Sequence, residues 1–135
     1  MKLLLADDHT LFRDALVQYI MRADPNIHIN VAKDFHEVLG ILAGDPIHNL
    51  VLLDLRMPGM NGMESLRTLR EKYPEVPVAL MSGVAEEKDV KKAMDMGAMA
   101  YFPKTLSGKA LVGAVQKVLG GETYLPFERK SNKIM

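Results

Sequence analysis

Acidic side chains follow two apolar runs of this 135-residue chain, at the point where each run ends. Asp54 comes directly after the run 50–53, and Asp7 and Asp8 come directly after the run 3–6. Ligands of open parallel sheets bind beyond the carboxyl ends of the strands, so we expect the three carboxylates to meet in one crevice. Carboxylates so close together repel each other, and a divalent cation bound by oxygen atoms removes that conflict. The pattern therefore predicts a Mg2+ site.

The same end of the predicted sheet carries residues that suit phosphoryl transfer. Ser82 follows a later apolar run and offers a hydroxyl donor, and Lys104 brings an ammonium suited to a carboxylate or a phosphoryl oxygen. Because phosphoryl transfer is mostly positioning and electrostatic neutralisation, we interpret Asp54 as a nucleophile that forms an acyl phosphate. The backbone carbonyl of Arg56 is a further predicted metal ligand, since a turn at Pro58-Gly59 would bend the loop back over the site.

Each of these residues, taken alone, also has a simpler interpretation. Asp7 or Asp8 fits a cap of the following helix. Asp54 fits a cap or an ordinary loop residue, and Lys104 fits a solvated lysine. Tyr101 lies on an apolar strand, where a tyrosine is more often a core residue than a switch. Their shared position at one edge of one sheet is what favours a common site.

Apolar runs alternate with segments of helical period along the chain. We predict strands over 2–6, 27–32, 50–53, 76–81 and 98–102, and helices over about 10–22, 35–44, 62–72, 86–96 and 107–119. Asp34 is the predicted cap of the second helix, and Gly97 lies where a C-terminal cap belongs. Five alternations predict an α/β fold: a parallel sheet covered by helices on both faces. The known fold type that we expect is the flavodoxin-like doubly wound sheet, in the order 2-1-3-4-5, in which strands 1 and 3 flank the crevice.

Composition excludes several functional classes. The chain has no cysteine, which excludes disulfides, thiol catalysis and thiolate metal sites. Its 17 basic and 17 acidic residues give zero net charge, and so no electrostatic reason to bind nucleic acid or an anionic membrane directly. Apolar runs are shorter than the roughly 18 residues of a membrane span, and the start lacks a signal peptide. We therefore expect a cytoplasmic protein.

Three motifs in this order closely resemble the receiver domain of bacterial two-component response regulators, most nearly the NarL/FixJ-type group. They are Leu-Ala-Asp-Asp-His at 5–9, Asp-Leu-Arg-Met-Pro-Gly-Met-Asn-Gly at 54–62, and Gly-Ala-Met-Ala-Tyr-Phe-Pro-Lys at 97–104. The resemblance covers about residues 1–122, which we interpret as the receiver domain. Residues 123–135 are interpreted as a tail or as the start of a linker to an output domain lacking in this chain.

The resemblance implies a role for each acidic residue. Asp54 would be the phosphoacceptor for a sensor histidine kinase. Asp8 would bind Mg2+ directly, Asp7 would act largely through water, and the Arg56 carbonyl would complete the metal site. The chain would then be a phosphoacceptor switch and not an enzyme, supporting only its own phosphorylation and slow self-dephosphorylation.

The resemblance also implies how such a switch would signal. Lys104 would contact the phosphoryl group, and Ser82 and Tyr101 would be the switch pair. Ser82 would move toward the phosphoryl group and Tyr101 would rotate inward, changing the surface of the fourth helix, fifth strand and fifth helix. A phosphorylation-dependent homodimer is a further expected partner state.

Two departures from the family pattern leave questions open. Pro103 stands before the lysine, where the family often has a hydrophobic residue, so the isomer of the Phe102-Pro103 peptide is undecided. Relatives of this group usually continue into a helix-turn-helix DNA-binding domain, and residues 122–135 cannot form one. An excised receiver, with DNA bound only through its output domain, and a stand-alone regulator both fit.

Rival functions have weaker support in the sequence. A Mg2+-dependent phosphohydrolase of the haloacid dehalogenase type needs a second Asp two residues after its nucleophile, and Arg56 stands there. Nucleotide binding lacks a glycine-rich phosphate loop after the first strand. A pseudo-receiver that only binds partners is disfavoured by the complete acidic pair and by the presence of Asp54, Ser82 and Lys104.

Overall fold

Strands and helices alternate along the chain in the computed structural model, which describes residues 1–57, 59, 63–83 and 87–124. The strands are β1 (Lys2–Ala6), β2 (His28–Ala32), β3 (Leu50–Asp54), β4 (Val78–Ser82) and β5 (Ala100–Pro103). The helices are α1 (Thr10–Ala23), α2 (Phe35–Gly44), α3 (Met63–Lys72), α4 (Glu87–Asp95) and α5 (Gly108–Leu119). Some predicted positions lie outside the described residues. They are the first residues of two predicted helices, 62 and 86, Pro58 of the predicted turn, and most of the predicted tail.

The five strands form one parallel sheet in the order β2-β1-β3-β4-β5, which confirms the predicted topology. In this register Ala6 pairs with Leu53, and Ser82 pairs with Pro103. The carboxyl ends of β1, β3, β4 and β5 therefore lie along one edge. Residues that follow these strands are brought together there, although they are far apart in the sequence.

Helices cover both faces of the sheet. One core cluster packs α1 and α5 against the sheet, and the other packs α2, α3 and α4 against the opposite face. Every residue of β3 and β4 is consequently buried. This explains why both runs are apolar without the alternation of a half-exposed strand. Among the described residues, no helix combines the length and apolar character needed to cross a membrane.

Polar caps fix the starts of two helices. The Asp34 side chain accepts a hydrogen bond from the Glu37 amide (2.7 Å), and the Glu37 side chain accepts one from the Lys33 amide (2.8 Å). This reciprocal pair is a variant of a capping box, and it confirms the predicted cap of α2. The Ser107 hydroxyl accepts a hydrogen bond from the Ala110 amide (3.2 Å) and so caps α5.

Element boundaries differ from the sequence prediction by one or two residues, for reasons visible in the backbone. β4 begins at 78 and not at 76, because the Val76 amide donates to the Tyr73 carbonyl in a turn. β5 begins at 100 and not at 98, because the Ala98 amide donates to the Ala93 carbonyl of α4. Gly97, between these elements, has φ of 101°, which confirms the predicted cap.

Tyr124 extends the sheet beyond its five strands. It forms a parallel bridge with Ala100, and its carbonyl accepts a hydrogen bond from the Tyr101 amide (3.0 Å). Its ring lies 5.2 Å from the Phe102 ring, centroid to centroid. The sequence after Gly121 has no alternation typical of a strand. A single bridging residue is too short to produce such an alternation. The predicted domain boundary at residue 122 stays a prediction.

His48, at the amino-terminal end of the sheet, should make stability depend on pH. The ring is buried, with Nε2 3.1 Å from Asn30 Nδ2, and burial lowers the pKa of His48 below its ordinary 6.5. Lys2 and His28 lower the pKa further, and Asp45 opposes them. The unfolded chain therefore binds a proton on His48 at a higher pH than the folded chain does. Stability contributed by this residue is present above about pH 6.5 and is lost as pH falls below it.

We expect the free energy of unfolding to fall between pH 7 and pH 5, with His48 contributing at most about 1.4 kcal/mol per pH unit. His48→Gln should flatten this slope, whereas replacing the exposed His36 by Gln should leave it unchanged. Urea unfolding curves at several pH values measure both slopes. Equal slopes in wild type and His48→Gln would contradict the assignment.

Candidate functional site

Four titratable side chains converge at the carboxyl edge of the sheet: Asp7, Asp8, His9 and Asp54. One potential ligand atom from each lies within 4.8 Å of the others. Asp7 is 0% exposed and Asp54 is 1% exposed, whereas Asp8 and His9 are open to solvent. The structure thus brings together the three carboxylates that follow β1 and end β3, in a crevice with a buried floor and an exposed rim.

Backbone amides hold the two buried carboxylates in place. Asp7 Oδ1 accepts a hydrogen bond from the His9 amide (2.8 Å), and Asp54 Oδ1 accepts one from the Arg56 amide (3.0 Å). In both cases the donor lies two residues further along the chain, the usual geometry of an aspartate turn. His9 occupies the N-cap position of α1, and its side chain makes no cap hydrogen bond. Asp7 accepts its hydrogen bond from the His9 amide, which lies before the first residue of the helix. Asp7 is therefore positioned for the crevice and does not cap α1.

Lys104 occupies the centre of the crevice. Its Nζ lies 2.9 Å from Asp7 Oδ2, 3.0 Å from Asp54 Oδ2 and 3.1 Å from His9 Nδ1. The Phe12 ring centroid lies 4.6 Å from the same nitrogen, within the range of a cation–π contact. The lysine side chain is only 13% exposed. Lys104, which taken alone fits a solvated lysine, is therefore a partly buried counter-ion.

Charges in the crevice are not balanced. Burial raises the pKa of Asp7, and the nearby Asp54 raises it further, outweighing the opposing effects of the His9 amide and Lys104. For Lys104, burial lowers the pKa, but Asp7 and Asp54 more than compensate and leave that pKa raised. The lysine thus keeps its proton. One ammonium then faces three carboxylates, counting Asp8. The crevice therefore keeps a negative charge that a further cation would neutralise.

The donor set fits a hard divalent cation. Asp7 Oδ2 is buried, and its partner among the described residues is the Lys104 ammonium, 2.9 Å away. That ammonium is shared with Asp54, so it does not neutralise both buried carboxylates, and a second cation would lower the cost of burying them. Oxygen ligands from Asp7, Asp8 and Asp54 with one open side suit Mg2+. The Arg56 amide is engaged by Asp54, and the metal role of the Arg56 carbonyl stays a prediction.

The loop after β3 turns toward α2. Gly59 has φ of 83°, a left-handed conformation that favours glycine, and a Cβ added there would lie 3.4 Å from Phe35 Cβ. This agrees with the predicted turn as far as Gly59 is concerned. Pro58 lies outside the described residues.

Ser82 and Tyr101 are both buried near this edge. Ser82 ends β4, and its carbonyl accepts a hydrogen bond from the Lys104 amide (2.8 Å), which ties the lysine loop to β4. The Tyr101 ring lies in the core cluster with Val90 and Ala93 of α4. The ring is therefore already inside in this structure. The Phe102–Pro103 peptide, left open by the sequence, is trans.

Sequence reasoning missed two residues that touch Lys104. His9 and Phe12 lie just before and within the first turn of α1, and both reach the ammonium. A signal for His9 was present, since it directly follows the acidic pair. Phe12 carried no such signal, because an aromatic residue at helical spacing usually indicates a core position.

Asp7→Asn should stabilise the protein at neutral pH when divalent cations are removed. The pKa of Asp7 is raised above 3.8 in the folded protein, so the charged side chain lowers the stability of the fold at neutral pH. This loss of stability disappears as pH falls, first through the pKa of the folded protein and then through that of the unfolded chain. Asn keeps an oxygen for the His9 amide. We expect a higher melting temperature than wild type at pH 7 in chelator, with the difference shrinking toward pH 4. Asp8→Asn, at an exposed position, is the control and should change less. A lower melting temperature for Asp7→Asn would show that its ion pair with Lys104 outweighs burial.

Comparisons with known proteins agree on one family. The family profile "Response regulator receiver domain" matches residues 3–116. The "Glycerol metabolism activator" of Pseudomonas putida is 34% identical over 125 residues, which cover 93% of this chain and 57% of that protein. The "Nitrate/nitrite response regulator protein NarL" of Escherichia coli (strain K12) is 35% identical over 124 residues, which cover 91% of this chain and 56% of that protein. The chain thus spans little more than half the length of either relative.

The fold has a close counterpart among solved structures. A LuxR family DNA-binding response regulator from Silicibacter pomeroyi superposes with a TM-score of 0.82 at 29% identity. The match covers 93% of this chain and 97% of that one. The sheet order and the two helical layers are therefore shared with a protein of the same family description.

Proposed function

Since this chain belongs to the receiver domain family of two-component response regulators, we propose that it is a phosphorylation-activated switch whose phosphoryl group is carried by Asp54. The observation that carries the proposal is the position of Lys104 Nζ, 3.0 Å from Asp54 and 2.9 Å from Asp7 in a buried crevice. A cation fixed at that point stabilises charge on a group attached to Asp54.

In the proposed reaction, an Asp54 carboxylate oxygen attacks the phosphorus of a phosphohistidine. The new P–O bond forms as the P–N bond breaks, and the imidazole leaves with the electron pair. Asp54 is held for attack by the Arg56 amide. Lys104 neutralises charge on the phosphoryl oxygens, and Ser82 offers them a hydroxyl donor.

We propose that Mg2+ is held by Asp8 directly, by Asp7 largely through water, by Asp54 and by the Arg56 carbonyl. When bound, it supplies the positive charge that the transferred phosphoryl group needs. The support for this is the excess of carboxylates over ammonium and the buried Asp7 Oδ2 described above.

The proposed switch runs from Ser82 to Tyr101 and then to the surface of α4, β5 and α5. Moving a two-state equilibrium from 1:99 to 99:1 takes about 5.5 kcal/mol, and a few hydrogen bonds to a charged group, at about 1.5–3 kcal/mol each, supply it. Within α4, Val90 and Ala93 are the buried residues, so this helix is weakly anchored. Because Tyr101 is already inside, phosphorylation would stabilise its present packing over an outward conformer.

For the wider system, we propose a cytoplasmic regulator that receives its phosphoryl group from a sensor histidine kinase. Relatives carry names such as "Transcriptional activator protein ExaE", so we propose an output through a helix-turn-helix DNA-binding domain outside residues 1–135. Residues 1–122 would be the receiver and 123–135 the start of its linker, with a homodimer formed on phosphorylation. A stand-alone receiver acting by protein–protein contact is the alternative.

Incubation with acetyl phosphate and Mg2+, followed by intact-mass measurement, tests the proposal. We expect one phosphoryl adduct per chain, absent when EDTA replaces Mg2+. Absence of any adduct would support a receiver that only binds partners. Steady turnover of a small phosphate ester would instead support a haloacid dehalogenase-type phosphohydrolase, for which Arg56 stands where a second Asp is needed.

A further inference from the structure

His9 lies in the site but has no role in the function proposed above. Its side chain is 68% exposed, and it makes no cap hydrogen bond to α1, the helix that it precedes. The imidazole is therefore not needed to begin the helix. Its shortest side-chain contact is with the lysine of the site, at 3.1 Å from Nδ1 to Lys104 Nζ.

The chemistry of the two groups fixes the direction of this hydrogen bond. An ammonium has three N–H donors and no lone pair, so His9 Nδ1 accepts and the ring proton lies on Nε2. Lys104 then has three polar neighbours at 2.9–3.1 Å: Asp7 Oδ2, Asp54 Oδ2 and His9 Nδ1. Two of them are charged carboxylate oxygens, and one is a neutral nitrogen.

The two charged neighbours are also the oxygens that a divalent cation needs. When Asp54 turns to the cation, and Asp7 to a water that the cation holds, the ammonium loses both ion pairs and is repelled by the added charge. His9 Nδ1 also lies 3.5 Å from Asp7 Oδ1 and 4.0 Å from Asp8 Oδ1, but it carries no negative charge for the cation to attract, so it can keep its hydrogen bond to Lys104. The Phe12 ring, 4.6 Å from Nζ, holds the lysine on the same side of the crevice.

We propose that His9 is a positioning residue for Lys104. It keeps the ammonium in the site by a neutral hydrogen bond while Asp7 and Asp54 bind Mg2+, so that both cations are in place when Asp54 is phosphorylated. This inference depends on the proposed function, because it assumes that the carboxylates bind Mg2+.

Mg2+ affinity, followed by backbone amide NMR shifts around Asp54, provides the first test. Without Mg2+, Lys104 keeps two ion pairs when His9 is lost, whereas with Mg2+ bound it keeps neither, so the loss falls mainly on the Mg2+ complex. His9→Ala should therefore weaken Mg2+ binding, by no more than about tenfold, the equivalent of one hydrogen bond. His9→Asn, which places an oxygen acceptor near the Nδ1 position, should restore most of the affinity. His28→Ala is the matched control, an exposed histidine at the start of β2 and so at the other end of the sheet.

A double-mutant cycle separates positioning from direct metal binding. Lys104→Met should bind Mg2+ more tightly than wild type, because the competing ammonium is gone. In that background His9→Ala should have no further effect, and Lys104→Gln provides a second background with a polar side chain. A loss of affinity on His9→Ala that persists without the lysine would make His9 a metal ligand and overturn the proposal.

The remaining outcomes are also decisive. Wild-type affinity in His9→Ala would overturn the His9 inference and leave the proposed function intact. Failure of the wild-type protein to bind Mg2+ would overturn the proposed function itself, and the inference with it.

Discussion

Asp54→Asn should abolish the phosphoryl adduct formed with acetyl phosphate and Mg2+. The amide nitrogen and oxygen of Asn are poor nucleophiles compared with a carboxylate, so no acyl phosphate forms. The substitution keeps the size of the side chain and an oxygen for the Arg56 amide. It also removes the repulsion between Asp54 and Asp7, which compensates for the lost ion pair with Lys104. We therefore expect a folded protein that takes up no phosphoryl group.

Asp14→Asn is the matched control for this experiment. Asp14 lies in α1 with a side chain that is largely exposed, and it is outside the crevice. The same intact-mass measurement should show a normal adduct on this variant. A full adduct on Asp54→Asn would place the phosphoryl group on another side chain, and peptide mapping would identify it.

Leu80→Ala should lower the free energy of unfolding by about 2–5 kcal/mol, the range for large-to-small changes in a packed core. Leu80 is 0% exposed in β4, between Leu53 of β3 and Tyr101 of β5 in the sheet register. The lost atoms leave a cavity between the sheet and the helices that cover it, beside the Leu53 and Tyr101 side chains of the neighbouring strands. The free energy of unfolding of a natural domain is only about 5–15 kcal/mol, so this loss is a large fraction of it.

Urea unfolding curves measure this loss against Leu11→Ala. Leu11 is 88% exposed in α1, so the same chemical change there should alter stability by no more than about 0.5 kcal/mol. We expect the urea midpoint of Leu80→Ala to fall by roughly 1 M or more. A loss below about 1 kcal/mol would show that the surrounding side chains repack into the cavity.

The parallel sheet and the meeting of Asp7 with Asp54 were predictable because they depend on local patterns. Strands apolar on both faces must be central, and residues that follow parallel strands share one edge. The capping box at Asp34 and the glycine at 97 are likewise signals carried by one or a few adjacent residues. Secondary structure and the acidic floor of the site followed from these signals without any knowledge of tertiary contacts.

The missed features all depend on contacts between distant parts of the chain. His9 and Lys104 are 95 positions apart, and their hydrogen bond depends on how α1 and the loop after β5 are packed. The core position that the apolar strand favoured for Tyr101 was found, whereas its packing beside Val90 and Ala93 depends on where α4 lies on the sheet. Residue type limits such contacts but does not choose among them.

The bridge made by Tyr124 has a practical consequence for producing this domain by itself. A recombinant fragment ending at residue 122 would lack the carbonyl that accepts the Tyr101 amide and the ring that packs on Phe102. It would uncover the edge of β5 at Ala100 and Tyr101, and uncovered strand edges recruit other chains. Expression boundaries for crystallisation or NMR are therefore better placed after Tyr124, to avoid precipitation at high concentration.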